Sequence, residues 1–195
     1  MLCIKKTLIA SQFLQTKGQN RHFWQWVTMI FNQLDFDRIK RHGPDRACTE
    51  WLLRNGASVK FTGEKNLYSD YNRLPSDDVK FTRKIKEIHA IDAGLNSSGF
   101  NHLRGLTDVD LVHIENCTYV DDKLILNLSH IRNSLKTLEI IGCKNITDEG
   151  LMHAKHLVHL EKFLAHDLPY VKDEKKVLDE LSRALPNCKF NFKFQ

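Results

Sequence analysis

Two cysteines and three histidines are the residues whose types and spacing suggest chemistry in this chain. Cys117 and Cys143 lie 26 residues apart, each between a short run of alternating apolar residues and a turn. A thiol in such a place is a candidate metal ligand or redox group. Three histidines at i, i+3 and i+6 of a predicted helix form a candidate metal set: His153, His156 and His159.

The spacing of these groups argues against both kinds of chemistry. The five cysteines are an odd number, are widely spaced and include no C-x-x-C pair, so neither a structural zinc nor a disulfide framework is expected. Free thiols in a reducing compartment are the better interpretation. Histidines at i and i+3 can reach one ion, but the residue at i+6 swings away around the helix. A solvated helix face is therefore favoured over a ligand set.

The cysteines instead mark a repeat with a period in the mid-twenties. The segment LKTLEIIGCKNITDEGL overlays VDLVHIENCTYVDDKLI, and looser copies lie on either side, IHAIDAGLNSSGFNHL and FLAHDLPYV. L-x-L, then Cys, then an Ile-Thr-Asp turn is typical of the cysteine-containing leucine-rich repeat, in which each unit is a concave strand and a convex helix. The cysteines then fill a buried turn position as spacers, and a redox or metal role stays a minor alternative.

The predicted fold class is α/β: a short leucine-rich-repeat solenoid of the cysteine-containing type, with about four repeats, capped by a small α-rich N-terminal domain. We expect residues 1–22 to be a mitochondrial transit peptide, because they are basic, lack acids and mix apolar residues with Ser, Thr and Gln. A disordered basic tail is the alternative. Residues 23–84 are predicted to be the capping and membrane-anchor domain, and residues 85–195 the leucine-rich-repeat domain.

The net charge of +5 does not indicate a nucleic-acid-binding protein. Residues 1–22 hold four of the basic residues and no acid, and the rest of the chain has 25 Lys and Arg against 24 Asp and Glu. A basic binding face is therefore not expected. The sequence also lacks an activated nucleophile, an acid–base pair and a phosphate loop. We expect no enzyme activity, no nucleic acid and no small-molecule substrate.

One aromatic helix is predicted for HFWQWVTMIFNQLDFDRIKRH, ended by Gly43 and Pro44. Amphipathic aromatic rings favour the membrane interface, but such a helix can equally cap the fold, and the sequence leaves both open. The candidate anchor residues are Phe23, Trp24, Trp26, Val27, Ile30 and Phe31.

The strands of the repeats are predicted to expose a mixed, shallow surface suited to a protein partner. The chain then ends with a helix, DEKKVLDELSRALPN, and a strand, CKFNFKF. The candidate partner-binding residues are His113, Glu115, Lys136, Glu139 and Lys162.

Several blocks make the chain resemble the family of mitochondrial ATP synthase coupling factor B, also called ATP synthase subunit s. These are FWQWV, DFDRI, GPDRACTEWLLRNGASV, DYNRLP, IHAIDA and ITDEGL. The resemblance implies a non-enzymatic factor that associates with the ATP synthase complex, peripheral to the mitochondrial inner membrane on its matrix side. It implies support for coupling proton translocation to ATP synthesis by limiting a proton leak. The alternative is an assembly factor or adaptor for respiratory complex I, because the related distal membrane arm assembly component family shares the repeats.

The resemblance also implies a magnesium ion, Mg2+, held by the backbone carbonyls of Gly56 and Gly94. Two carbonyls with waters completing an octahedron suit this ion. Read without the resemblance, the two glycines are a helix C-cap and a turn. Some family members carry a C-x-C pair in the second repeat, but the matching residues here are Glu115 and Cys117, so no vicinal dithiol is expected.

Overall fold

A computed structural model describes residues 20–194, with side chains from Trp26 onward. Residues 1–19 of the predicted transit peptide lie outside the described residues. Over the described range the α-helices are α1 (Asn20–Phe31), α2 (Phe36–His42), α3 (Pro44–Arg54), α4 (Lys123–Asn127), α5 (Asp148–Met152) and α6 (Glu174–Ala184). The strands are β1 (Ser58–Phe61), β2 (Ile85–Ile91), β3 (Leu111–Glu115), β4 (Thr137–Ile141), β5 (Lys162–His166) and β6 (Lys189–Lys193). The 3-10 helices are Tyr71–Arg73, Ser97–Leu103, Leu128–Ile131 and His153–His156.

The six strands form one sheet in chain order, with β1 antiparallel to β2 and every later pair parallel. Helical segments connect the parallel strands, so the α/β class is confirmed. Val112 lies beside Leu138, and Leu138 lies beside Phe163, as the repeat overlay predicts. The looser upstream copy also fits, because Ile88 pairs with Val112.

Strand alternation separates a buried face from an open face. On β4, Leu138 and Ile140 are buried, whereas Thr137, Glu139 and Ile141 are partly exposed. Successive side chains of a strand point to opposite faces, so one residue in two enters the core. The core is continuous from α3 to the residue that follows α6. The alternate, non-core positions of β2 to β6 define what we call the open face of the sheet.

Two aspartates join neighbouring repeat units in the second half of the sheet. The Asp122 carboxylate accepts hydrogen bonds from the Thr147 amide (2.8 Å) and hydroxyl (2.7 Å). Asp148, one unit later, accepts from the backbone amide of Asp173 at 2.8 Å. Gly150 keeps this arrangement compact, because a Cβ there would overlap the Asp122 carboxylate. The Ile-Thr-Asp-x-Gly pattern is thus a packing requirement between units.

The prediction of a single helix before Gly43 is wrong, because the chain forms two helices with a break between them. α1 ends at Phe31 and α2 begins at Phe36, with extended backbone at Asp35. The Asp35 carboxylate caps α2 by accepting from the Arg38 amide at 2.8 Å. Asp preceding a helix is a strong start signal, since it satisfies an amide that has no partner inside the helix. The break lets α2 pack on α3 while Asn32, just after α1, accepts a hydrogen bond from Trp51 of α3.

Candidate functional site

The repeat cysteines are enclosed in the core. The Cys117 Sγ lies 3.4 Å from the carbonyl oxygens of Ala90 and Glu115, and its single S–H can donate a weak hydrogen bond to either. Cys143 donates to the Ile141 carbonyl at 3.5 Å. Burial raises the pKa of the Cys117 thiol and raises that of Cys143 to about 12. Because the thiolate is the reactive form, both residues act as spacers.

The three histidines of the candidate metal set do not share one helix. His153 and His156 lie at the two ends of a 3-10 turn, and His159 follows it in irregular chain. Among the described side chains, no group of three or more His, Cys, Asp or Glu is arranged to hold a metal ion.

An ion network ties α2, α3 and the loop around residue 77 together. Arg38 binds both Glu50 oxygens (2.6 and 2.8 Å) and both Asp77 oxygens (2.6 Å each). Arg46 adds a second guanidinium on Glu50 at 2.5 Å, so the buried carboxylate is fully compensated. The hydrogen bond from Arg38 lowers the pKa of Asp77 to about 2. Such a network holds α2 and α3 in one arrangement.

An exposed apolar patch lies across the break between α1 and α2. Phe36 is 69% exposed and Trp26 is 55% exposed. A shallow groove of about 550 Å³ runs beside it between Leu34 and Arg54. The side chains of Phe23 and Trp24 lie outside the described residues. The large exposed side chains that define this apolar patch are Trp26, Met29, Ile30, Phe31 and Phe36.

Asn32 fastens the end of α1 to the rest of the molecule. Its side-chain carbonyl accepts from the Trp51 indole (3.0 Å) and from the Asn96 backbone amide (3.1 Å). Its amide group donates to the Thr28 carbonyl at 2.7 Å and to the Gly94 carbonyl at 3.0 Å. Asn32 is only 2% exposed, so these bonds are made away from water. This residue fixes where the apolar patch points.

The two candidate magnesium residues are brought together at the same junction. The Gly94 amide donates to the carbonyl of Asn55, the residue before Gly56, at 2.9 Å. Gly56 has a φ of +85°, a backbone conformation that favours glycine. The Gly94 carbonyl already accepts from Asn32, and a carbonyl oxygen has a second lone pair. The donor set is oxygen-rich and fits the preference of Mg2+ for hard ligands.

Histidines and carboxylates occupy the half of the open face formed by β2, β3 and β4. His113 lies between two carboxylates, 2.7 Å from Glu139 at Nδ1 and 3.1 Å from Glu115 at Nε2. His89 pairs with Glu87 at 3.0 Å, and its ring lies 5.9 Å from that of His113. Three of the five predicted partner-binding residues therefore form one cluster.

Lysines dominate the other half of the open face. Lys162 lies beside Lys189 in the β5–β6 register, and Lys193 lies at the end of β6. Glu139, Lys162 and Lys189 line one groove of about 200 Å³. Lys136 lies one residue before β4 and pairs with Glu161 at 2.9 Å. The structure thus groups Lys162 with the basic half and leaves Lys136 at the margin.

Curated proteins match almost the whole chain. The human protein described as "ATP synthase subunit s, mitochondrial" is 37% identical over 195 residues, which is 98% of this chain and 97% of the human protein. The rat protein of the same description is 38% identical and covers 97% of each chain. The cattle protein is 37% identical over 187 residues, 94% of this chain and 93% of its own. No family model matches the sequence.

These matches span the described helices and all six strands. The chain belongs to the family of mitochondrial ATP synthase subunit s. The predicted resemblance is therefore confirmed. In this member of the subunit s family, no helix of the described residues is long and apolar enough to cross a membrane.

Sequence reasoning missed several residues that organise the amino-terminal half of this subunit s relative. Asn32 was read as part of a helix, although an Asn-x-x-Asp spacing before Phe36 is a cue for a helix break. Arg38 and Glu50 lie in quoted blocks, but a contact between separate helices leaves no local pattern. Phe36 extends the apolar patch onto α2, which a single-helix reading could not place.

Proposed function

We propose that this chain is a non-enzymatic factor that associates with mitochondrial ATP synthase. In this proposal it lies on the matrix side of the inner membrane, in peripheral contact with it. It supports the coupling of proton translocation to ATP synthesis by limiting a proton leak. The observation that carries the proposal is the similarity, over nearly the whole chain, to relatives described as subunit s of that enzyme.

The finer architecture is part of the proposal. We assign residues 85–195 to about four leucine-rich repeats of the cysteine-containing type and residues 23–84 to a capping and anchoring domain. Equivalent core positions lie side by side on neighbouring strands, from Ile88 to Val112 and from Leu138 to Phe163. A one-unit repeat cannot bury its own apolar face, so the stacked units share one core. The open face is then the concave surface of the solenoid.

The apolar patch is the proposed membrane contact. Aromatic and aliphatic side chains exposed on one surface favour the boundary between headgroups and acyl chains. Lys40 and Arg41 on α2 are exposed close to Phe36 in the chain and can meet anionic headgroups. Phe23 and Trp24 extend the same segment along the chain.

Magnesium is proposed to bind at the junction of the two parts, at the carbonyls of Gly56 and Gly94. Bound there, the ion supplies positive charge that the carbonyl oxygens of two chain segments share. Asn32 holds one of these segments in place by donating to the Gly94 carbonyl. A ligand that binds only the folded state raises the melting temperature. We expect the melting temperature of the full chain to be higher with magnesium than with a chelator. An unchanged melting temperature would contradict magnesium binding.

The mixed open face is the proposed surface for ATP synthase. His113, Glu115 and Glu139 form its acidic half, and Lys162 lies in its basic half. Lys136 lies at its margin. A surface with acidic residues on one half and basic residues on the other favours a partner whose charges are arranged in the complementary way.

A reconstitution experiment tests the proposed function. Inner-membrane vesicles lacking this protein are expected to show a high proton conductance that the added full chain lowers. A Phe31→Ser/Phe36→Ser variant should restore coupling less well, because it presents less apolar surface to the membrane. A matched Val158→Ser variant alters an exposed apolar residue far from the patch and should act like the unmodified chain. Unchanged conductance with the unmodified chain would reject the leak-limiting role.

A further inference from the structure

The two edge strands of the sheet differ in whether another segment of the chain pairs with their outer side. The outer edge of β1 is covered, since Val59 and Tyr68 exchange backbone hydrogen bonds of 2.9 and 2.7 Å. The Tyr68 ring also packs on Phe61, with ring centroids 5.8 Å apart. On the outer edge of β6, no segment of residues 20–194 forms a pair. A free edge presents unpaired backbone donors and acceptors to another strand.

The register shows which backbone groups of β6 are available. The Lys189 amide donates to the Glu161 carbonyl at 2.8 Å, and the Lys193 carbonyl accepts from the Asp167 amide at 3.0 Å. These residues therefore point their backbone groups toward β5. Alternate residues of a strand in a parallel ladder point the opposite way. Phe190 and Phe192 consequently direct their amide and carbonyl groups outward.

The side chains of β6 give this edge two chemically distinct faces. Phe190 and Phe192 are half-buried and lie 5.5 Å apart, and Phe192 packs edge-on against Phe163 at 5.2 Å. Lys189 and Lys193 are exposed on the opposite face. A strand laid along this edge would meet aromatic rings on one side and two positive charges on the other.

We propose that the outer edge of β6 binds an extended segment of a partner protein in which acidic and apolar residues alternate. Main-chain hydrogen bonds to Phe190 and Phe192 provide the strand pairing, as in other cases of strand addition. Cross-strand pairs of opposite charge stabilise such an arrangement, and apolar pairs do so on the other face. The acidic residues face Lys189 and Lys193, and the apolar residues face the phenylalanine rings.

Charge disfavours two other binding partners for this edge, which are a second copy of the chain and the chain's own amino-terminal segment. In an antiparallel pairing of two copies centred on Asn191, Lys189 of one copy faces Lys193 of the second copy, and like charges directly opposite are destabilising. The chain's own residues 1–19 carry three lysines and no acid, so they are also of the wrong sign. The lysines thus disfavour self-association and favour an acidic partner. This inference does not depend on the proposed function.

Peptide binding to the full chain tests the charge and pairing requirements together. The probe is a short peptide of alternating Glu and Val with a neutral fluorophore, followed by anisotropy at low ionic strength, and its counterpart alternates Lys and Val. We expect the acidic peptide to bind and the basic peptide not to bind. A Lys189→Glu/Lys193→Glu variant should lose about tenfold in affinity for the acidic peptide. Lys175→Glu/Lys176→Glu on α6 makes the same change in charge at exposed sites away from the edge and should bind normally.

Amide hydrogen exchange distinguishes strand addition from simple attraction. Binding should slow exchange at the amides of Phe190 and Phe192 and leave Lys189 and Asn191 unchanged, because those already face β5. A peptide with the same side chains and N-methylated backbone amides should not bind. The proposal is overturned by equal binding of both peptides, by no binding of the acidic one, or by protection elsewhere. Dimerisation that the β6 charge reversal changes would assign the edge to a second copy.

Discussion

At the scale of single residues, one buried amide holds together three segments of the molecule. Asn32 satisfies the Trp51 indole and the Asn96 amide through its oxygen, and the Gly94 carbonyl through its nitrogen. Each partner lies in or beside the region where the α-helical part meets the sheet. A side chain in such a position stabilises the fold because it supplies hydrogen-bond partners to buried polar groups.

Replacing Asn32 by Ala should destabilise the fold strongly. The change leaves an indole N–H, a backbone N–H and a backbone carbonyl without these partners, which we expect to cost about 2–4 kcal/mol in the free energy of unfolding. Urea denaturation of the full chain measures this loss. The neighbouring exposed Gln33→Ala variant is the control, and equal stability of the two variants would contradict the role of Asn32.

The pairing of Asp77 with Arg38 predicts how stability depends on acid. The pKa of Asp77 is lowered to about 2 in the folded chain, so its contribution is present above its unfolded value of about 4 and is lost as pH falls between the two. An Asp77→Asn variant should therefore show a shallower loss of stability over that range. Asp179→Asn removes an exposed carboxylate of α6 and serves as the control. Identical acid profiles for Asp77→Asn and the unmodified chain would contradict the pairing.

At the scale of elements, recurring glycines and aspartates set the spacing between units. Gly150 packs against Asp122, and Gly99 packs against Trp51 and Asn32. A Cβ at Gly99 would lie 2.5 Å from the Asn32 side-chain oxygen. The two glycines occupy matching places in the repeat, and each admits the preceding element to close contact.

Replacing Gly150 by Ala should separate α5 from the unit before it. The added methyl group would overlap the Asp122 carboxylate, and we expect a loss of about 1–3 kcal/mol in unfolding free energy. Gly94→Ala is a matched control, because its Cβ would meet Asn55 oxygens at an ordinary 3.8 Å. Thermal melts of both variants measure the difference, and equal melting temperatures would refute the packing argument.

Local patterns in the sequence were sufficient for the strands and insufficient for the helical part. Leu138 and Ile140 recur in phase with Val112 and Ile114, because alternation and the repeat period both report burial on one face. The final helix and strand were likewise predictable from their own residues. The break between α1 and α2 had a local cue in Asp35, but the contacts of Asn32 had none, since they reach partners up to 64 positions away in the chain. The grouping of Gly56 with Gly94 came from the resemblance alone.

At the scale of the whole molecule, the apolar patch lies apart from the open face and the free edge, which adjoin each other on β6. The apolar patch is on α1 and α2, the mixed open face spans β2 to β6, and the free edge is β6 itself. The proposed function requires contact with a membrane and with a protein complex at once, and the separation of the apolar patch from the sheet surfaces allows both. The continuous core fixes α3 and the sheet, and the contacts of Asn32 and Arg38 attach α1 and α2 to α3.

The central claim is that this chain works with ATP synthase. Native-gel separation of mitochondrial complexes, with the protein tagged at its carboxyl terminus and each gel slice identified by mass spectrometry, tests that claim most directly. We expect the tagged chain to migrate with the ATP synthase monomer or dimer. Migration with assembly intermediates of respiratory complex I, and none with ATP synthase, would contradict the proposed function.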